Sequence, residues 1–160
     1  MGNNALTRRG LLSLGLALPL AASGEEAGSR AFQPPLYAVD PLSGLALHGY
    51  DAVSYALGER PLPGRADHES VWAGLTWRFA GPANRVAFTR DPEAYAPRLG
   101  GFDPLGIAEG RLVDADPLVA LHRDGRLYLF RSEARRAAAD APLIAAAEAR
   151  WPALRRHLGG

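Results

Sequence analysis

The sequence contains no cysteine and no lysine. Without cysteine there are no disulfides, no thiolate metal sites, no redox dithiols and no lipid attachment through sulfur, so stability rests on packing. All 18 basic residues are arginine, a bias of composition as much as of function. An excess of charge of one sign is also missing. The formal net charge is +1, and without the first 23 residues, which hold two of the 18 Arg and none of the 17 acids, it is −1. That balance argues against a nucleic-acid groove or a polybasic membrane surface. No nucleophile elbow, phosphate-binding glycine loop or dinucleotide fingerprint occurs, and no Ser/His/Asp set stands in a suggestive context. The sequence is therefore read as non-enzymatic.

Long apolar runs are absent as well. The run from Leu11 to Ala22 is about 12 residues, short of the ~20 a membrane-spanning helix needs. It follows Arg8-Arg9 and precedes Ala21-x-Ser23, which is the order of a secretory signal. Thr7-Arg8-Arg9-Gly10-Leu11-Leu12 further resembles a twin-arginine motif, with Leu11 where that motif usually has Phe. Residues 1–23 are accordingly expected to be a twin-arginine signal directing a bacterial protein to the periplasm, with no membrane span once it is removed. Residues 24–35 read as a polar, Gly- and Pro-bearing linker, and residues 36–160 as one domain.

Within that domain, His68 to Phe79 is expected to form a β-hairpin about Ala73-Gly74, with Trp77 and Phe79 sharing one face. Gly81-Pro82 opens a helix that Asp91-Pro92 ends or restarts. Leu118–His122 and Arg126–Phe130 flank Asp124-Gly125, a strong hairpin signal. Ser132 is a good N-cap, and an Ala-rich helical stretch from Ala134 to Trp151 follows, broken at Pro142 and stopped or bent at Pro152.

The two halves run parallel. Gly49-Tyr50-Asp51 matches Gly101-Phe102-Asp103 at an offset of 52 residues, and Gly74, Trp77 and Phe79 match Gly125, Tyr128 and Phe130 at 51. The expected fold is α+β, with two repeated turn–β-hairpin–helix units, about 45–99 and 100–155, sharing one core. One unit alone would bury too little surface.

These features together are similar to the YHS domain family, particularly its exported bacterial members. The match is carried by Gly49-Tyr50-Asp51-x-Val53-x-Tyr55, Gly74-x-x-Trp77-x-Phe79, Ala83-Asn84-Arg85-x-x-Phe88, Asp91-Pro92-x-x-Tyr95-Ala96-Pro97, Gly100-Gly101-Phe102, Gly125-Arg126-Leu127-Tyr128-Leu129 and Trp151-Pro152. The resemblance implies a soft-metal module whose ligands are cysteines. At the corresponding positions this chain has Ser54, Ala80 and Asn84 in the first half and Gly106, Arg131 and Arg135 in the second. Exported relatives commonly carry a further cysteine after Gly-Gly-aromatic, where this chain has Asp103. The resemblance thus implies the fold, while every thiolate it would use is missing.

Histidines are the remaining metal ligands. His48 precedes the Gly-Tyr-Asp phrase and His68 begins the first hairpin, while His122 falls near the equivalent position of the second. With Asp51 or Asp103 completing a set, His48 and His68 would suit Cu or Zn. Asp51 and Asp103 also read as helix caps, the preferred reading. Most aromatics are core residues, leaving one or two for a ligand-stacking cage. Two functions follow. One is a binding or accessory module that holds a metal ion or small ligand between the units and serves a periplasmic metal-trafficking or redox partner. The other is a scaffold or interaction domain whose metal site has decayed.

Overall fold

A computed structural model of the protein describes residues 36–58 and 60–158. The signal and linker expected over residues 1–35, with Arg8 and Arg9, lie outside the described residues. The order of elements is α1 (Ser54–Leu57), β1 (Arg65–Trp72), β2 (Leu75–Phe79), α2 (Pro82–Arg90), α3 (Pro92–Tyr95), α4 (Pro104–Ala108), β3 (Asp116–Arg123), β4 (Arg126–Phe130), α5 (Glu133–Ala137) and α6 (Ala141–Leu158). The strands make two separate antiparallel sheets, β1 with β2 and β3 with β4, so the fold is α+β. Single-turn 3-10 segments at Leu47–Gly49 and Arg98–Gly101 precede α1 and α4.

Both hairpins close on a two-residue turn in which each residue is left-handed. The φ angles are 49° and 77° at Ala73 and Gly74, and 52° and 71° at Asp124 and Gly125. That geometry matches the right-handed twist of the flanking strands. Trp72 pairs with Leu75 and Arg65 with Phe79, the register slipping between Arg65 and Glu69. Likewise Arg123 pairs with Arg126 and Asp116 with Phe130, the register slipping between Asp116 and Ala120. His68 falls inside the first irregularity, whereas His122 pairs with Leu127 as Val71 pairs with Thr76. Both hairpins carry the irregularity at the same place, so His68 corresponds to Val119 and His122 takes the slot of Val71, three residues along.

Short helices begin where caps allow. Pro82 opens α2, the Asp91 side chain accepts from Ala94 N–H at 3.3 Å, and Ser132 Oγ accepts from Arg135 N–H at 3.4 Å. The C-terminal stretch departs from expectation. Its break lies before Pro142, where Asp140 accepts from Leu143 N–H at 2.8 Å, and α6 then runs through Pro152 to Leu158. Ile144, Ala147, Trp151 and Leu154, spaced three or four residues apart, all pack on the second apolar cluster. That continuous stripe holds the helix across a residue lacking the N–H its ladder needs.

Buried apolar residues form two clusters rather than one undivided core. Trp77, Phe79 and Phe88 anchor the first; Ile107, Phe130 and Ala147 anchor the second. Strand β4 joins them, giving Leu127 and Leu129 to the first and Tyr128 and Phe130 to the second. Alternation on a pleated strand puts these pairs on opposite faces, which explains why four consecutive residues are apolar or aromatic. Among the described residues no helix is long and apolar enough to cross a membrane.

Candidate functional site

Asp51 and Asp103 are completely buried. Asp51 Oδ1 accepts from the N–H groups of Val53 (2.8 Å) and Ser54 (3.4 Å), which caps the turn leading into α1. Its Oδ2 accepts from Ala80 N–H (2.8 Å) at the end of β2 and from Asn84 Nδ2 (2.6 Å) on α2. Asp103 N-caps α4, its Oδ1 accepting from Gly106 N–H at 3.0 Å. Arg131 N–H, past β4, donates to Oδ2 at 2.9 Å. Arg135 on α5 adds Nη2 to Oδ1 at 2.7 Å and Nε to Oδ2 at 3.0 Å.

An ionised carboxylate offers about four lone-pair sites, and each of these two meets four donors. Each side chain therefore ties its opening turn to the end of its hairpin and to the helix beyond. Gly106 has a packing reason to be glycine: a Cβ there would lie 2.6 Å from Val113 Cγ2. Burial raises the Asp103 pKa, but the bonds from Arg135, Arg131 and Gly106 and the Arg135 charge outweigh it and hold the carboxyl below its ordinary value.

The capping role was legible in the sequence; the clasp on the hairpin end was missed. Its signal was a spacing matched to within one residue, Asp51 to Ala80 and Asn84 (29 and 33 residues) beside Asp103 to Arg131 and Arg135 (28 and 32).

The four expected metal ligands do not make one site. Asp51 and Asp103 point inward with their oxygens taken up. His48 is exposed, with Nδ1 3.9 Å from Asp40 Oδ1, a pair of little energetic weight. His68 is half-buried in the β1 bulge. Among the described residues no three His, Asp or Glu side chains come together as a metal-ligating group. His48 has left-handed φ, 52°, and the matching position holds Gly100 at 64°. A backbone slot accounts for its place.

A cleft of about 460 Å³ lies beside the β1–β2 turn, the Arg98–Gly101 segment and α6. Tyr37 and Trp72, with ring centroids 5.2 Å apart, line it from the hairpin side; Trp151, which packs on Phe102 at 6.2 Å, lines it from α6. At its edge Arg98 forks onto Glu148, Nε to Oε1 at 3.1 Å and Nη2 to Oε2 at 2.8 Å, and the Tyr128 hydroxyl donates to Oε1 at 2.8 Å. The Arg98 bond lowers the Glu148 pKa against the opposing effect of burial, with help from Tyr128. Burial raises the Tyr37 pKa, with Arg155 and Arg98 opposing and Glu93 reinforcing.

A second cleft, about 450 Å³, separates Tyr55 and Arg60 from Leu118, His122 and Arg136. There the Tyr55 hydroxyl donates to Pro117 O at 2.8 Å, clamping α1 to β3, and burial pushes its pKa up. No family model matches the chain, and no curated protein or solved structure matches it.

Proposed function

We propose that the chain is an exported, non-enzymatic YHS-type binding or accessory module in which internal hydrogen bonds have replaced the family's metal site, leaving a scaffold that acts by binding another molecule. One observation carries this reading. The positions where the resemblance would put cysteines gather on the two aspartates: Ser54, Ala80 and Asn84 on Asp51, and Gly106, Arg131 and Arg135 on Asp103. Residues nearly thirty apart in sequence meet as a metal site would require, yet a buried carboxylate with four donors stands at the centre. Such a carboxylate has no lone pair left for a cation or for a substrate proton. The equal arrangement in the two halves supports reading them as copies of one turn–hairpin–helix unit.

The test is metal analysis and melting of purified protein with Cu(II) or Zn(II). No stoichiometric metal is expected, and no upward shift in melting temperature. Asp51→Asn and Asp103→Asn should each lower the melting temperature with metal content unchanged. One bound equivalent, lost in His48→Ala, His68→Ala or Asp51→Asn, would replace this reading with the metal-binding one, in which the module serves a metal-trafficking or redox partner.

A further inference from the structure

We propose that the cleft between Trp72 and Trp151 is a binding site for a small aromatic zwitterion: one planar ring carrying an ammonium and a carboxylate, as in an aromatic amino acid. Its volume, about 460 Å³, falls within the range of small-ligand sites, roughly 300–1,000 Å³. Trp72 on the hairpin, with Tyr37 packed against it, and Trp151 on α6 offer aromatic surface, a setting suited to stacking a flat ring. Gly100 shapes the floor. Its φ is +64°, and a Cβ would stand 2.5 Å from Leu36 O and 3.0 Å from the Trp151 ring, so only glycine lets these two approach.

The charges select the ligand's head group. Arg98 and Glu148 satisfy each other in a bidentate pair. Arg155 and Glu93 remain, both exposed on the lining, and among the described residues neither has an opposite charge within ion-pair distance. Both act on the Tyr37 hydroxyl, in opposite senses. A simple carboxylate would gain from Arg155 but meet Glu93; a simple amine would meet the reverse. A zwitterion answers both. The inference does not depend on the metal reading, because none of these residues touches Asp51 or Asp103.

The test is titration by calorimetry and by intrinsic fluorescence, since two of the three Trp line the cleft. L-phenylalanine, 3-phenylpropionate and phenethylamine serve as the probes. L-phenylalanine should bind saturably with Kd on the order of a millimolar or tighter, a reasonable limit for so small a ligand. Each single-charge probe should bind about tenfold more weakly. Arg155→Gln should weaken L-phenylalanine and 3-phenylpropionate and leave phenethylamine unchanged; Glu93→Gln should weaken L-phenylalanine and phenethylamine alone. Both side chains are exposed, so the variants should melt as the parent does. Lack of saturation by about 10 mM, or equal affinity for all three probes, would overturn the proposal, as would wild-type L-phenylalanine affinity in both variants.

Discussion

The Arg135 guanidinium forks across both oxygens of the buried Asp103 carboxylate, at 2.7 and 3.0 Å, where in the first half the neutral Asn84 amide reaches one oxygen of Asp51 at 2.6 Å. Two equivalent positions thus hold donors of different charge. Removing Arg135 leaves a buried carboxylate without its counter-charge, whereas removing Asn84 leaves one that still accepts three backbone N–H groups. Arg135→Ala should therefore lose about 3–5 kcal/mol, and Asn84→Ala about 1 kcal/mol. Urea denaturation at neutral pH measures both; equal losses would show that the guanidinium charge contributes nothing at Asp103.

The Arg98–Glu148 pair makes stability depend on pH on the acid side. Arg98 holds the folded Glu148 pKa below its ordinary value. Its contribution is therefore full above the unfolded value and disappears as pH falls through the lowered folded one. Arg98 is partly solvated, so Glu148→Gln should lose only about 1 kcal/mol at pH 7. That gap should shrink below about pH 4, as the wild-type carboxylate also protonates. Denaturation of both proteins from pH 7 down to about pH 3 checks the sign; a gap that widens on acidification would contradict it.

Local rules carried much of the fold. Ala73-Gly74 and Asp124-Gly125 marked both hairpins, Pro82 and Ser132 marked helix starts, and the period of two put Trp77 and Phe79 inside. What failed depended on tertiary context. Pro152 reads as a stop or a bend because an isolated helix loses a hydrogen bond there; it is not a stop, since the Ile144–Leu154 stripe carries α6 on to Leu158. Of the candidate site, the caps were legible because a cap acts over two or three residues. The bonds to Ala80, Asn84, Arg131 and Arg135 span about thirty and depend on the folded hairpin. The cleft joins Tyr37, Trp72 and Trp151, which no spacing relates.

Position 48 and position 100 occupy the same left-handed slot, yet they should differ in their tolerance of substitution. Gly100→Ala adds a Cβ against Leu36 O and Trp151 as well as left-handed strain, and should lose about 2–4 kcal/mol. His48→Gly relieves strain of about 1 kcal/mol while adding comparable unfolded-state entropy, so its stability should stay within about 0.5 kcal/mol of the parent. Thermal melts of the two variants distinguish a packing requirement from a purely conformational one. A large loss in His48→Gly would mean that the imidazole itself holds the turn.

The proposed export through a twin-arginine route rests on Arg8 and Arg9 ahead of a modest apolar run. Arginine-to-lysine exchange keeps the positive charge of the segment, so it separates recognition of the pair from a simple need for a basic end. Residues 1–30 fused to a reporter should deliver it to the periplasm, and Arg8→Lys with Arg9→Lys should leave most of it in the cytoplasm. Fractionation and immunoblotting read the outcome. Unchanged export in the double variant would assign the segment to the general secretory route, which passes unfolded chains. The buried carboxylate centres would then have to form after translocation, without the cytoplasm in which a twin-arginine passenger folds.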